Sequence, residues 1–146
     1  QFSKNMEEAC AKARHYELVP KKISIFLKTK DFDYITRFIT LPSPTNAPEI
    51  LMNLVREKFR EMYRRGLQYR TTGVILQDLV PSCASQGDLF GGTERAHKFE
   101  QIHKQIDSLE EKYGKRVVYL ASTHNALKNK GKGTDADDLD RDLLFL

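Results

Sequence analysis

The run from Lys21 to Leu41 constrains the fold more than any other stretch. Ile23, Ile25 and Leu27 alternate with Lys22, Ser24, Phe26 and Lys28. A period of two residues describes a strand, here with one apolar face and one basic face that carries a single aromatic. Lys30-Asp31-Phe32-Asp33 reads as a turn, and Tyr34 to Leu41, closed by Pro42, reads as a second strand. So short a connection joins the two as an antiparallel hairpin. The second strand sets Ile35, Arg37, Ile39 and Leu41 against Tyr34, Thr36, Phe38 and Thr40, and its pattern leaves open which set meets the core.

Amphipathic helices flank this hairpin. Asn5 to Tyr16 places Met6, Ala9, Cys10, Ala13 and Tyr16 on one stripe, with Lys4, Lys12 and Arg14 off it. Asn5 with Glu8 has the spacing of a capping box, and Pro20 is expected to stop the helix. After Pro42-Ser43-Pro44-Thr45, Asn46 with Glu49 repeats the capping spacing, and Pro48 falls where a first-turn proline is tolerated. This helix is expected to run to Arg65 and break at Gly66. Leu51, Leu54, Val55, Phe59 and Met62 form its buried stripe, and Arg56, Lys58, Arg60, Arg64 and Arg65 make the other side basic. Tyr69 to Leu79, rich in β-branched residues, reads as a third strand. The order helix, strand, strand, helix, strand predicts an α+β fold, an antiparallel sheet with two helices on one face. The opposite face is then open, for Lys22, Lys28, Arg70 and the hydroxyls of Thr36, Thr40, Thr71 or Thr72 to populate.

Beyond the sheet, Pro81 to Ser85 reads as a loop leading to Gln86-Gly87-Asp88-Leu89-Phe90, with Gly91-Gly92 at once behind. The Leu-Phe pair is either a plug for the end of the sheet or an anchor offered to another protein, and spacing does not decide. Thr93 to Tyr113 predicts a third helix, with Phe99, Ile102, Ile106, Leu109 and Tyr113 on one stripe and Gly114 behind it. Arg116 to Ser122 reads as a last strand. From Ala126 the chain turns polar and then acidic, at Asp135, Asp137, Asp138, Asp140 and Asp142, before ending on Leu143-Leu144-Phe145-Leu146. The expected organisation is a sheet domain over 1–80, a motif-bearing loop over 81–92, a helix-strand extension over 93–124 and a flexible acidic tail over 125–146.

Composition narrows the function. No run among the 146 residues approaches the roughly 18 apolar residues of a membrane span. The start shows neither a signal peptide nor an initiator methionine, so a piece of a longer protein is expected. Cys10 and Cys83 match no metal or redox spacing, and His15, His97, His103 and His124 have no ligand spacing. The expectation is a cytoplasmic protein without cofactor, metal site or membrane contact. Net charge is +4, with bases frequent up to Arg70 and acids gathered late. A basic body suits a polyanionic partner such as nucleic acid.

Four stretches carry a resemblance. They are Phe26-Leu27-Lys28-Thr29, Gly66 to Leu79 with Tyr69-Arg70-Thr71-Thr72-Gly73-Val74, Gln86-Gly87-Asp88-Leu89-Phe90, and Lys112 to Ala121. In this order they resemble the C-terminal little finger domain of Y-family translesion DNA polymerases, and the UmuC type of DNA polymerase V more than polymerase IV. The likeness covers roughly Asn5 to His124. It implies a β-α-β-β-α-β little finger that grips duplex DNA near the template lesion, acting in the SOS response to DNA damage. The first strand of that fold belongs before Ser3, so the sheet is expected one strand short, with the Arg116–Ser122 strand available to fill the vacated edge. The family's catalytic carboxylates belong to an upstream palm, so this chain is not expected to polymerise DNA.

The resemblance implies phosphate contacts by Lys28, Thr36, Arg37, Thr40, Arg70 and Thr71, since a lesion-bypass enzyme gains nothing from reading sequence. Thr71, and Ile39 where the family often has a second base, predict a weakened grip. Gln86, Asp88, Leu89 and Phe90 are similar to the peptide by which bacterial polymerases hold the sliding clamp, although Gly87 stands where a leucine is preferred. A UmuD-type accessory subunit and the RecA recombinase are further implied partners. Two alternatives stay open. One is a docking module for the clamp or accessory subunits without DNA contact. The other is an RNA-binding module of the same element order, which needs aromatics on the open face, for which Phe26 and Phe38 are the candidates.

Overall fold

The computed structural model describes residues 1–82, 92–114 and 117–128, and the side chains of 92–97 are not among what it describes. The elements are α1 (Phe2–His15), β1 (Leu18–Thr29), β2 (Tyr34–Thr40), α2 (Pro48–Met62), β3 (Tyr69–Pro81), α3 (Gly92–Tyr113), a 3-10 turn (Ala121–Thr123) and α4 (His124–Lys128). The three strands form an antiparallel sheet in the order β2-β1-β3. The α+β arrangement expected from the sequence is therefore present, with α1 and α2 on one face of the sheet.

The core is the layer between. Ile23, Ile25 and Leu27 of β1 and Ile39 of β2, together with the following Leu41, meet Met6 and Cys10 of α1 and Leu51, Val55 and Met62 of α2, all buried. Burial pushes the Cys10 thiol up to about 12, so it packs as a small hydrophobe. The register settles the faces of β2. Ile23 lies opposite Ile39 and Leu27 opposite Ile35, which sends Tyr34, Thr36, Phe38 and Thr40 to the far side.

Several expectations are corrected. Helix α1 begins at Phe2, so Asn5 lies inside it. The Asn5 amide donates to the Thr72 carbonyl oxygen at 2.8 Å, tying α1 to β3. Asn46 is likewise no cap. Ala47 holds that position, while the Asn46 amide donates to the Leu18 carbonyl at 3.2 Å. Tyr16 is exposed, whereas Lys4 and Arg14, both placed off the stripe, are largely buried. Pro20 lies within β1, opposite Leu79 of β3. The β2 register ends at Lys22, so the strand has a partner on one side only at that proline, where a missing N–H is tolerated. Helix α2 stops at Met62 rather than Arg65, and Gly66, at φ 93°, lies in the turn beyond.

The extension differs most. Residues 117–123 form bends and a 3-10 turn instead of a strand, so nothing described there fills a sheet edge. The Leu120 N–H is taken by the Glu7 carboxylate of α1. Helix α3 is present as expected, but it docks by its polar side. Arg14 meets Asp107 through two hydrogen bonds, Nε–Oδ2 at 2.6 Å and Nη2–Oδ1 at 2.7 Å, and His103 Nε2 lies 2.9 Å from both oxygens of Glu49. Ile102, Leu109 and Tyr113 face solvent. At 100° per residue the apolar stripe is turned by roughly a quarter of the circumference from the docked side. Cys83, the Gln86–Phe90 motif, Arg116 and everything after Lys128 lie outside the described residues.

Candidate nucleic-acid interface

The far side of the sheet is assembled by register. Lys22 lies between Thr40 and Gln77, Ser24 between Phe38 and Ile75, Phe26 between Thr36 and Gly73, and Lys28 between Tyr34 and Thr71. The described part of the C-terminal extension is tied to α1 and α2, not here. Phe38, Tyr34 and Ile75 remain 63, 60 and 43% exposed.

Local sequence explains the surface. Gly73 is opposite Phe26, and a Cβ there would overlap Cε1 and Cζ of the Phe26 ring. Glycine leaves room for that ring against β3, and the ring also meets Tyr34 of β2 with centroids 5.6 Å apart. The register slips between Lys28 and Thr29, because Thr71 is opposite Lys28 but Tyr69 is opposite Thr29. Arg70 is the unmatched residue of this bulge. The irregularity turns its guanidinium toward the β1–β2 hairpin, 5.4 Å from the Phe32 ring centroid. The Lys28 ammonium lies 4.8 Å from the same ring centroid and 4.9 Å from that of Tyr34. At the opposite end of the face, Lys22 Nζ is 3.4 Å from Asp78 Oδ2, and both groups are well exposed.

Of the residues singled out in the sequence, the structure brings Lys28, Thr36, Thr40, Arg70 and Thr71 to this face or its rim. It sets Arg37 elsewhere. Arg37 is opposite Ile25, so its side chain leaves from the helix-side face of the edge strand. Its Nη1 donates to the Thr36 carbonyl at 2.9 Å, and its Nε is 3.9 Å from Glu61 Oε2, while Lys58 Nζ holds the other oxygen, Glu61 Oε1, at 2.8 Å. These contacts lower the Glu61 pKa, the Lys58 hydrogen bond most. Sequence reasoning missed Tyr34 and Phe32. Tyr34 has the same strand parity as Phe38, which was the available signal. Phe32 sits in a turn, where periodicity carries no information.

The model of the impB/mucB/samB family C-terminal domain matches residues 1–89. The chain belongs to this family. The match runs through α1 to β3 and into the Gln86–Leu89 stretch, ending before α3. Among curated proteins, this impB/mucB/samB domain is 31% identical to DNA polymerase IV of Moorella thermoacetica over 101 residues, 69% of this chain and 24% of that protein. It is 27% identical to DNA polymerase IV 1 of Bacillus subtilis over 135 residues, 91% of this chain and 32% of that protein. Protein ImpB of Salmonella typhimurium is 26% identical over 126 residues, 82% of this chain and 30% of that protein. The chain thus spans about a quarter to a third of the length of these relatives. Among the described residues, no helix is long and apolar enough to cross a membrane.

Proposed function

We propose that this domain is the DNA-gripping, clamp-tethered C-terminal part of a translesion DNA polymerase of the UmuC type, acting in the cytoplasm during the SOS response. The observation that carries the reading is the open sheet face, where Lys28, Arg70, Thr36, Thr40 and Thr71 surround a surface that no described element covers. Ammonium, guanidinium and hydroxyl donors on a rigid sheet suit phosphate oxygens and require no base edge. Arg37, at the edge of β2, serves as an outlying phosphate contact once a polyanion competes with Glu61 for it. The UmuC assignment rests on the four motif stretches alone; the relatives matched are DNA polymerase IV proteins as well as Protein ImpB.

The clamp tether is the Gln86–Phe90 peptide, five residues beyond the end of β3. Leu89 and Phe90 would each contribute about 1.5–3 kcal/mol on entering an apolar pocket, with Gln86 and Asp88 as polar partners. Tethering then raises the local concentration of a slow enzyme at its template. A UmuD-type subunit and RecA belong to the same proposal as partners of the parent protein. The test is a pair of variants. Lys28→Ala with Arg70→Ala should weaken duplex binding and spare clamp pull-down, and Leu89→Ala with Phe90→Ala should do the reverse. Duplex binding unaffected by the first pair overturns the DNA reading. Unfolding caused by the second shows that the Leu-Phe pair is a plug.

A further inference from the structure

A phosphate grip has no use for aromatic rings turned to solvent, yet the rim of this face presents three of them. Phe32, Tyr34 and Phe38 are 59, 60 and 63% exposed, among the most exposed large side chains described. Tyr34 and Phe38 stand on the same side of β2, four residues or about 13–14 Å apart. Phe32 has φ 69°, a left-handed conformation that an aromatic residue rarely adopts. The hairpin therefore holds this ring outward against a local conformational preference. Each ring near the bulge has a cation over it, Lys28 above both Phe32 and Tyr34, and Arg70 above Phe32.

We propose that this face also holds single-stranded DNA, stacking unpaired bases on Phe38, Tyr34 and Phe32 while Lys28 and Arg70 follow the backbone. The inference rests on the reading of the face as a DNA interface and adds the strand state that it recognises. A duplex hides the faces of its bases, whereas a single strand offers them. Aromatic side chains spaced along a positive surface are the sequence-tolerant means of holding such a strand. The cations that now cover the rings end flexible side chains, Arg70 exposed and Lys28 partly so. They can swing to phosphates, exchanging a cation–ring contact for a charge pair and freeing the ring face for a base. Asp31 and Asp33 flank Phe32 in the hairpin, so the backbone would run on the Lys28 and Arg70 side of the ring.

The probe is a labelled thymidine oligonucleotide, with a duplex and a uridine oligonucleotide measured beside it on the full 146-residue chain. Phe38→Ala and Tyr34→Ala should each weaken thymidine-strand binding about 5- to 150-fold and leave duplex binding within about twofold. Phe38→Tyr should retain most of the affinity. Both positions are exposed, so a thermal melt that matches the parent separates lost stacking from lost fold. Equal losses on single strand and duplex, or no loss on the single strand, overturn the proposal. Tighter binding of the uridine strand than of the thymidine strand overturns it in favour of RNA. Should these arms fail while Lys28→Ala and Arg70→Ala still weaken duplex binding, the phosphate grip stands and only the stacking falls.

Discussion

Asp107→Asn tests how helix α3 is held. Arg14 is nearly buried, at 8% side-chain exposure, and makes two short hydrogen bonds to the Asp107 carboxylate and one of 3.2 Å to the Asn46 carbonyl. Removing one partner of a buried ion pair costs about 3–5 kcal/mol when the remaining charge stays dry. Here Asp107 is 32% exposed, and α3 turns Ile102, Leu109 and Tyr113 to solvent. The helix can therefore lift and let water reach Arg14, which caps the loss at about 1.5–3 kcal/mol, the value of a hydrogen bond to a charged group. Hydrogen exchange read by mass spectrometry should show protection over 98–113 falling about 10- to 150-fold while β1 and β3 barely change. The double change Arg14→Met with Asp107→Leu removes both charges and should come close to neutral. Unchanged α3 exchange in Asp107→Asn would refute the account of a helix docked by polar pairs.

Two further changes probe the sheet and the helix layer. Gly73→Ala should push the Phe26 ring off β3 and destabilise the domain by about 1 kcal/mol, the difference between overpacking at about 1–3 and the backbone-entropy gain of about 0.4–1; an unchanged melt with unchanged Phe26 ring shifts contradicts this. Acid titration should separate two carboxylates. Burial raises Glu49, but its hydrogen bond to His103, its own backbone N–H and nearby charge outweigh this and leave its pKa below the usual 4.5. Its contribution is therefore present above that value and lost as pH falls through the lowered one, and Glu49→Gln should remove this acid-side loss of α3 protection. Glu7 is raised, by burial first. Its contribution is present at low pH and lost as pH rises through the raised value, so Glu7→Gln should match or exceed the parent's stability at neutral pH.

The core and the element order as far as α3 were legible because β1 alternates cleanly and because Met6, Cys10, Leu51 and Val55 recur at helical spacing. The capping boxes were misread for a physical reason. Asparagine amides serve any carbonyl in reach, and tertiary partners at Thr72 and Leu18 claimed Asn5 and Asn46. Arg37 could not be assigned to a face from a strand whose two sides are equally mixed; pairing with Ile25 decides it. Val117, Val118 and Tyr119 have strand-forming side chains, yet among the described residues no neighbouring strand receives them, and the Leu120 N–H goes to a carboxylate instead. The α3 stripe was found correctly, but its orientation was not, because Arg14 and Glu49 lie far away in sequence. The aromatic rim was obscured by the same ambiguity in β2.

The most direct test of the central claim is the salt dependence of duplex DNA binding. Lys22, Lys28 and Arg70 on or beside the open face, with Arg37 at its edge, predict that log affinity falls with log salt at a slope of about −3.6, for four neutralised phosphates. The slope should flatten by about 1 for each of Lys28→Ala and Arg70→Ala. A slope near zero, or one that both variants leave unchanged, would contradict the claim that a phosphate backbone lies against this side of the sheet.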